Sequence, residues 1–179
     1  ERPRDLNLRV NTYPSGMASS AVIAAQVETV FGTTLSGWGM SEAWCFVTCN
    51  RPTDSVDQRT TASGAPMDGY EFKTVDPVTG EPARPNEPGE LFVRGYALMR
   101  GYFDKPAESA AAIDVDGWLH TGDMCRIRED GHIVFMGRFK DVLKVGGENV
   151  SPAEVEALLL ELDGVLDAAV VGISDERLQ

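Results

Sequence analysis

The sequence predicts a mixed α+β fold. It divides into an α/β part over residues 1–56, a small antiparallel β part resembling a barrel over residues 57–139, and the start of a small α/β C-terminal domain over residues 140–179. Three observations support this division. Apolar residues near the beginning keep helical spacing, the middle contains short alternating runs separated by turns, and the end contains a capped helix followed by an apolar run. A chain of 179 residues is long enough to bury a core around such elements.

The first part begins with a helix. Ile23, Val27 and Val30 are spaced for one face of an amphipathic helix that Gly32 can end, and a short strand is expected over residues 34–36. No strand pattern precedes this helix, although a helix of an α/β fold normally follows one. We therefore expect the sequence to start inside a longer protein.

The middle part has the period of antiparallel strands. Residues 70–75 and 90–95 alternate between apolar and polar side chains. Asp130 and Gly131 separate two further alternating runs, and an Asp-Gly pair at such a position is typical of a hairpin turn. Several short strands within about 80 residues favour a small barrel or a curled sheet.

The third part contains the best-marked helix. Ser151 can cap it, Pro152 suits its first position, and Glu154 completes a capping box with the serine. Its predicted apolar face consists of Val155, Leu158, Leu159 and Leu162. Gly164 can end the helix, and residues 165–173 then predict an apolar strand buried on both faces. Since only six residues follow, we expect the sequence to stop inside a domain and this segment to be disordered or to pair with another copy of the chain.

Composition excludes several classes of protein. Hydrophobic residues make up 42% and charged residues 25%, which is typical of a globular domain and not of a disordered or fibrous chain. The net charge is −12, and the last 39 residues contain nine acidic and two basic groups, so no basic face is expected for nucleic acid.

Apolar runs are interrupted by Gly, Ser and Thr, so no membrane span is predicted. Without a secretory leader, and with three Cys, a cytoplasmic location is expected.

The cysteines and histidines predict no metal site. Cys45 and Cys49 have no His or further Cys beside them, and Cys125 lies in a predicted hairpin, so all three are interpreted as structural core thiols. His120 and His132 are separated by a strand and a turn, and neither is predicted to be catalytic.

Four clusters could contribute chemistry: residues 37–42, residues 89–91 with 101–102, residues 118–123, and residues 137–156. Each has an ordinary structural interpretation when taken alone, because Gly-rich pairs usually form turns and charged side chains are usually solvated. A functional interpretation requires them to converge. A carboxylate such as Asp123 can then accept the hydroxyls of a ribose, an Arg can contact phosphate, and a Glu beside a hydroxyl can hold magnesium.

In this order the clusters resemble the motifs of the adenylate-forming superfamily, which includes acyl-CoA synthetases, non-ribosomal peptide adenylation domains and firefly luciferase. The most specific matches are Trp-Leu-His-Thr-Gly-Asp at 118–123, Gly-Arg-Phe-Lys-Asp-Val-Leu-Lys at 137–144, and Gly-Gly-Glu-Asn-Val-Ser-Pro at 146–152. The resemblance covers essentially the whole chain.

The resemblance implies a nucleotide site formed by Gly37, Trp38, Gly39, Met40, Asp123, Phe135 and Arg138. In it, Trp38 lies against adenine, Asp123 binds the ribose, Arg138 reaches the ribose or a phosphate, and Phe135 covers the nucleotide. Ser41 stands where the family usually has the Thr that contacts the α-phosphate. Ser41 and the following Glu42 are the implied catalytic pair, with Glu42 as the magnesium ligand.

The resemblance also implies a hinge and two further subsites. Lys140 occupies the hinge about which the C-terminal domain turns between the two half-reactions. The implied coenzyme A contacts are Lys144, Gly146, Gly147 and Glu148. The implied acyl pocket includes Gly16, Met17, Cys45 and Phe46. Gly16 and Met17 lie in a Ser-Gly-Met segment where the family has Gly-Gly-Ala, so a different pocket shape is expected.

The implied function is part of an ATP-dependent acyl-CoA synthetase, with a carboxylic acid, ATP and coenzyme A as substrates and Mg²⁺ as cofactor. Two alternatives remain open: an acyl-AMP ligase or adenylation domain that loads a carrier protein, and a non-catalytic binding module. The Gly146-Gly147-Glu148 turn favours coenzyme A. This chain alone is expected to be inactive, because the family's phosphate-binding loop and its late lysine are absent from the sequence.

Overall fold

The computed structural model describes residues 8–13, 18–145 and 148–173. These residues form four α-helices: α1 (Ala18–Phe31), α2 (Val56–Thr61), α3 (Pro106–Ala112) and α4 (Pro152–Leu160). They also form twelve strands: β1 (Asn11–Thr12), β2 (Thr34–Leu35), β3 (Gly39–Met40), β4 (Cys45–Phe46), β5 (Thr48–Cys49), β6 (Ala65–Pro66), β7 (Tyr70–Val75), β8 (Gly89–Gly95), β9 (Leu119–Ile127), β10 (Ile133–Arg138), β11 (Leu143–Val145) and β12 (Glu148–Val150). Short 3₁₀ helices span Ser41–Ala43 and Phe139–Asp141.

A four-stranded antiparallel sheet organises the fold, with its strands in the order β7, β8, β9, β10. The predicted hairpin is confirmed, since β9 and β10 pair on either side of the Asp130-Gly131 turn. The sheet is open, because β7 and β10 form its two edges and do not pair with each other. The mixed α and β fold is therefore confirmed and the barrel is not. The other antiparallel pairs of the described residues, β3/β4, β5/β6 and β11/β12, form separate two-stranded ladders that leave the sheet unclosed.

The hydrophobic core lies on one face of this sheet. It is formed by buried residues of the sheet and of the segment before α2, namely Trp38, Ala43, Val47, Leu91, Val93, Cys125 and Ile133. Leu91 and Val93 come from the central strand β8, which explains why they are fully buried. The core thus joins the Gly37–Glu42 segment to the strand that carries Asp123.

Helix α1 confirms the predicted helix at residues 23–30 but not its predicted core face. Ile23 and Val30 remain 44% and 41% exposed, and Ala24 is the residue that becomes fully buried. The helix packs against α2 and α4, and the contact with α2 is reinforced by an ion pair between Glu28 and the buried Arg59. No helix of the described residues is long and apolar enough to cross a membrane.

Two helices interrupt the region that was predicted to be antiparallel β. Helix α2 begins at Ser55, whose hydroxyl accepts from the backbone N–H of Gln58 while the Gln58 side chain accepts from the Ser55 backbone, and these two bonds form a capping box. Helix α3 begins with Pro106 in its first turn. The sequence interpretation followed strand period and overlooked both start signals. The domain boundaries at 56/57 and 139/140 stay predictions.

Helix α4 begins where the sequence predicts, with Ser151 at its cap and Pro152 at its first position, but the predicted capping box is wrong. The Ser151 side chain makes no capping hydrogen bond, and the backbone N–H of Glu154 instead donates to the Ser151 carbonyl at 3.2 Å. Its apolar face is also more open than predicted, since Leu158 is 61% and Leu162 57% exposed.

The strand predicted over residues 165–173 is wrong. These residues form no strand, and Leu166 and Ile173 are 96% and 86% exposed. Among the described residues they have no strand ladder to join, and an isolated strand cannot satisfy its backbone groups. The N–H of Val170 donates instead to the carboxylate of Glu156 at 2.8 Å, which holds the segment against α4.

Candidate active site

Strand β9 turns Asp123 toward the core. Alternate residues of this strand are buried, namely Leu119, Thr121, Asp123 and Cys125. Asp123 is only 3% exposed although its neighbours on that face are apolar or neutral. A carboxylate in such a position is costly unless it has partners, so its surroundings indicate what the site can do.

The Thr-Gly-Asp motif forms a bulge in the pairing of β8 with β9. Glu90 pairs with Met124 and Phe92 with His120, so three residues of β9 lie opposite Leu91 alone. Gly122 takes a φ of +69°, which favours glycine, and its N–H donates to the Glu90 carboxylate at 3.0 Å. The bulge therefore accounts for the glycine of the motif and sets the direction of the Asp123 side chain.

A second bulge brings Arg138 opposite Asp123. The register of β10 against β9 shifts between Phe135 and Gly137, and without this extra residue Gly137 would face Asp123. In the structure Arg138 is the register partner of Asp123, and its Nε lies 3.1 Å from Asp123 Oδ1. The prediction that these two residues lie together is confirmed.

Each oxygen of the Asp123 carboxylate has one partner. Its Oδ2 accepts from the indole N–H of Trp38 at 2.9 Å, and its Oδ1 forms the ion pair with the Nε of Arg138 at 3.1 Å. Burial raises the pKa of Asp123, and the Trp38 hydrogen bond and the Arg138 charge oppose this shift. The negative charge of Glu42 raises the same pKa further.

Trp38 lies beneath the site and not on its surface. The side chain is 6% exposed, its ring meets the edge of Phe72 with the centroids 6.4 Å apart, and its backbone N–H donates to the Thr48 hydroxyl at 2.7 Å. Its observed role is to hold Asp123. The predicted contact of Trp38 with adenine stays a prediction.

The glycines at 37 and 39 allow close approach between neighbouring strands. A Cβ on Gly39 would lie 1.4 Å from the carbonyl oxygen of Cys45, and one on Gly37 would lie 2.4 Å from that of Thr48. Met40 follows on β3 and packs against the core. These residues position the segment that leads to Glu42, and their predicted contacts with the nucleotide are not tested.

Ser41 and Glu42 begin the 3₁₀ helix after β3. Glu42 is half-buried and accepts two hydrogen bonds from the segment before α3. The hydroxyl of Tyr102 donates to Glu42 Oε1 at 2.9 Å, and the N–H of Met99 donates to the Glu42 carbonyl at 2.7 Å. The hydrogen bond with Glu42 and partial burial raise the pKa of Tyr102. Glu42 is thus fixed through both its side chain and its backbone.

A cleft of about 550 Å³ opens beside Arg138. One wall includes Phe135, Arg138 and Lys140, and the other is formed by residues around α4, among them Ser151, Pro152 and Glu156. The volume is within the range of small-molecule sites. Lys140 is exposed in the 3₁₀ helix between the two walls, which is compatible with its predicted role as a hinge.

Several predicted site residues lie outside the described residues, namely Gly16, Met17, Gly146 and Gly147. The backbones of Lys144 and Glu148 belong to the β11/β12 ladder, where Lys144 pairs with Asn149 and Val145 with Glu148. This ladder pairs the strand before Gly146 with the strand after Gly147. The contacts of these residues with coenzyme A stay predictions.

Only one of the three cysteines is a core thiol. Cys125 is fully buried, which confirms the prediction, and Cys49 is half-buried. Cys45 is exposed on β4, so its interpretation as a core thiol is wrong, and Phe46 beside it is 57% exposed. Strand β4 pairs only with β3 along its length, so both side chains remain at the surface. Their predicted place in an acyl pocket is not tested.

The histidines have carboxylate partners of their own. His120 Nε2 lies 3.5 Å from Asp114, and the buried His132 lies 3.3 Å from Asp54 and 3.2 Å from Asp130. Among the described residues no group of three or more His, Cys, Asp or Glu side chains could hold a metal ion by itself.

Trp118, the first residue of the 118–123 motif, has a structural position on the opposite face of the sheet. The Lys73 ammonium lies 4.4 Å and the Arg94 guanidinium 4.6 Å from its ring centre. These cation–π contacts attach the loop before β9 to the neighbouring strands. The motif thus combines an anchor at residue 118 with a buried carboxylate at residue 123.

Sequence analysis missed Tyr102 and the hydrogen bond between Trp38 and Asp123. Tyr102 belongs to one of the quoted clusters, but 60 residues separate it from Glu42. Trp38 and Asp123 are 85 residues apart. A single sequence contains no signal for either contact, since both depend on how the segments pack on the sheet.

Known proteins resemble the chain over nearly its whole length. It is 39% identical over 181 aligned positions to the 3-[(3aS,4S,7aS)-7a-methyl-1,5-dioxo-octahydro-1H-inden-4-yl]propanoyl:CoA ligase of Rhodococcus jostii (strain RHA1), with 99% of this chain and 33% of that protein covered. It is also 39% identical over 142 positions to 4-coumarate–CoA ligase 1 of Arabidopsis thaliana, with 78% of this chain and 25% of that protein covered. The chain therefore spans about a third or less of the length of these relatives.

The fold is likewise similar to solved structures. The O-succinylbenzoate coenzyme A synthetase (MenE) of Bacillus subtilis, in complex with ATP and a magnesium ion, superposes with a TM-score of 0.81 at 28% identity, over 95% of this chain and 35% of that one. The sequence pattern of the AMP-binding enzyme family matches residues 3–103, more than half of the chain. By its sequence and by its fold, this chain belongs to the AMP-binding enzyme family.

Proposed function

We propose that the sequence belongs to an ATP-dependent acyl-CoA synthetase, which activates a carboxylic acid as an acyl adenylate and transfers the acyl group to coenzyme A. The observation that supports this most strongly is the buried carboxylate of Asp123. It is held by the indole N–H of Trp38 and by the guanidinium of Arg138, which lines the cleft. A carboxylate oriented in this way is suited to accept hydrogen bonds from the hydroxyls of a sugar.

On this proposal Asp123 accepts hydrogen bonds from the ribose of ATP. An ionised acceptor forms shorter and stronger hydrogen bonds than a neutral one. Trp38 occupies Oδ2 and so fixes the orientation of the carboxylate toward the nucleotide. The Arg138 side chain is 48% exposed next to the cleft, from where it can reach the ribose or a phosphate.

Glu42 fits a magnesium ion that is shared with the phosphates of ATP. Mg²⁺ in nucleotide sites is usually held by one or two carboxylates together with substrate phosphates, and Glu42 supplies one such carboxylate. A bound ion would neutralise the negative charge on the phosphates. Ser41 precedes Glu42 and has a hydroxyl that can donate to the α-phosphate.

Lys140 and the Gly146-Gly147 turn are proposed to serve the second half-reaction, in which the acyl group passes to coenzyme A. Lys140 lies at the junction of the two walls of the cleft. A rotation of the backbone at this residue would change which surface of the C-terminal region faces the acyl adenylate. Both relatives at 39% identity are named CoA ligases, which supports coenzyme A over a carrier protein as the acceptor.

The proposal is tested in a full-length protein that contains this sequence. ATP–pyrophosphate exchange is measured across a panel of carboxylic acids, and thioester formation is measured with coenzyme A and with a carrier protein. Asp123→Asn keeps the size of the side chain and removes its charge. We expect kcat/KM for ATP to fall about tenfold to a hundredfold, as for the loss of a hydrogen bond to a charged group.

The matched control is Asp68→Asn, since Asp68 is an exposed carboxylate in the turn before β7. It should leave both half-reactions unchanged. Exchange with no acid on the panel would overturn the proposal in favour of a binding module, and thioester formation only on the carrier protein would overturn the choice of coenzyme A.

A further inference from the structure

The phenol of Tyr102 holds one oxygen of the Glu42 carboxylate. Tyr102 Oη donates to Glu42 Oε1 at 2.9 Å, and in the same segment the N–H of Met99 donates to the Glu42 carbonyl at 2.7 Å. The segment from Met99 to Tyr102 therefore contacts Glu42 twice. One contact fixes the backbone of the residue and the other fixes its carboxylate.

The loop that carries Tyr102 is itself fixed by α3. The backbone N–H of Tyr102 donates to the hydroxyl of Ser109 at 2.8 Å, and that hydroxyl donates to the carbonyl of Lys105 at 2.6 Å. The phenol is thus connected to a helix through its own backbone. Because its backbone is anchored, the Tyr102 phenol can restrain the Glu42 carboxylate instead of moving with it.

The hydrogen bond leaves the second oxygen of Glu42 for another ligand. A carboxylate has two oxygens, and Tyr102 occupies Oε1. Mg²⁺ demands near-ideal octahedral geometry and so requires a ligand oxygen with a defined position. A carboxylate fixed at one oxygen presents the other with less rotational freedom than a free side chain would.

We propose that Tyr102 is a positioning residue for Glu42, which it holds by one carboxylate oxygen so that the other can bind the divalent cation that accompanies the nucleotide. This inference rests on the proposed function. It assigns to Tyr102 an effect on metal affinity and none on the affinity for the carboxylic acid.

The test replaces Tyr102 by Phe in the full-length protein, so that only the hydroxyl is lost. The Mg²⁺ concentration for half-maximal pyrophosphate exchange should rise about tenfold, the lower end of the effect of removing a partner that orients a metal ligand. The maximal rate at saturating Mg²⁺ and the KM for the acid should stay near the wild-type values. A structural defect would lower the rate at every Mg²⁺ concentration.

The matched control is Tyr96→Phe, because Tyr96 is 80% exposed and its ring contacts Tyr70, with the ring centres 5.1 Å apart. It should leave the Mg²⁺ dependence unchanged. An active wild-type protein together with an unchanged Mg²⁺ dependence in Tyr102→Phe would overturn the inference and leave the proposed function intact. A wild-type protein without exchange would overturn both.

Discussion

The central sheet and the C-terminal segment use similar apolar residues with different results. In the sheet, Leu91 and Ile133 are fully buried. Leu91 lies in β8 between two paired strands, and Ile133 in the edge strand β10 is covered on its free side by the backbone of Ser63 and Gly64. After residue 151, Leu158 is 61% and Leu166 96% exposed. An apolar pattern therefore predicts only that a surface needs a packing partner. The apolar residues of the sheet are buried among the described residues, whereas Leu158 and Leu166 stay largely exposed.

The candidate site lies at the border of these two regions. Asp123 and Arg138 are fixed by strand pairing, and two bulges set their register. The opposite wall of the cleft comes from α4 and from residues 170–172, where the backbone has fewer partners. We therefore expect the ribose side of the site to be preorganised and the hinge side to move more easily.

The largest difference in the free energy of unfolding is expected between two Leu→Ala substitutions, one in the central sheet and one in the C-terminal segment. Leu91→Ala removes a fully buried side chain and should lower the free energy of unfolding by about 2–5 kcal/mol. Leu158→Ala removes a side chain that is 61% exposed and should change it by less than about 0.5 kcal/mol. Urea unfolding of the 179-residue chain measures both. Similar losses in the two variants would remove the distinction between the regions.

A smaller effect is expected at the link between the core and the site. Trp38→Phe removes the indole N–H that donates to Asp123 and leaves a buried carboxylate with one partner fewer, at a cost of about 1.5–3 kcal/mol. Trp44→Phe is the matched control, because Trp44 is 82% exposed. Urea unfolding near neutral pH compares them. Equal stability of the two variants would mean that the hydrogen bond contributes nothing to the sheet region.

Local patterns predicted the parts of this fold that local physics determines. The Asp130-Gly131 turn, strand β7 and the start of α4 at Pro152 follow from turn chemistry, the alternation of the sequence and the preference of Pro for the first helical turn, and all three elements are present. The proximity of Asp123 and Arg138 followed from the hairpin between them. Their side chains face each other only because of the extra residue in β10, and the sequence gives no direct sign of that shift.

The errors have two physical origins. Residues 165–173 were predicted as a strand from hydrophobicity alone, yet a strand requires a paired edge, and the described residues offer none there. Helix α2 was overlooked although Ser55 and Gln58 have the spacing of a capping box, because strand period was given more weight than the cap. Contacts such as that of Tyr102 with Glu42 join distant segments, so only the packed structure reveals them.

The smallest effect expected is a pH-dependent change in the free energy of unfolding at Asp123. It tests whether the rigid sheet holds a carboxylate that itself destabilises the fold. Because burial raises the pKa of Asp123, the folded state binds its proton more tightly than the unfolded state does. Stability from this group is therefore present at low pH and is lost as the pH rises from the unfolded pKa through the raised folded pKa. Asp123→Asn removes that loss while it keeps an acceptor for Trp38.

We expect the Asn variant to be at least as stable as wild type at neutral pH, and the difference between them to shrink as the pH falls. The lowered pKa values of Glu28, Asp114 and Asp130 give the opposite pH slope in both proteins, so they cancel in the comparison. Urea unfolding of both chains between about pH 4 and pH 8 measures the difference, since that interval begins at the ordinary pKa of Asp. A variant that is less stable than wild type at pH 7 would show that the Arg138 ion pair outweighs the burial of the charge. In that case the ionised Asp123 would stabilise the sheet. The loss of folding stability that is typical of a functional group would then be absent at this position.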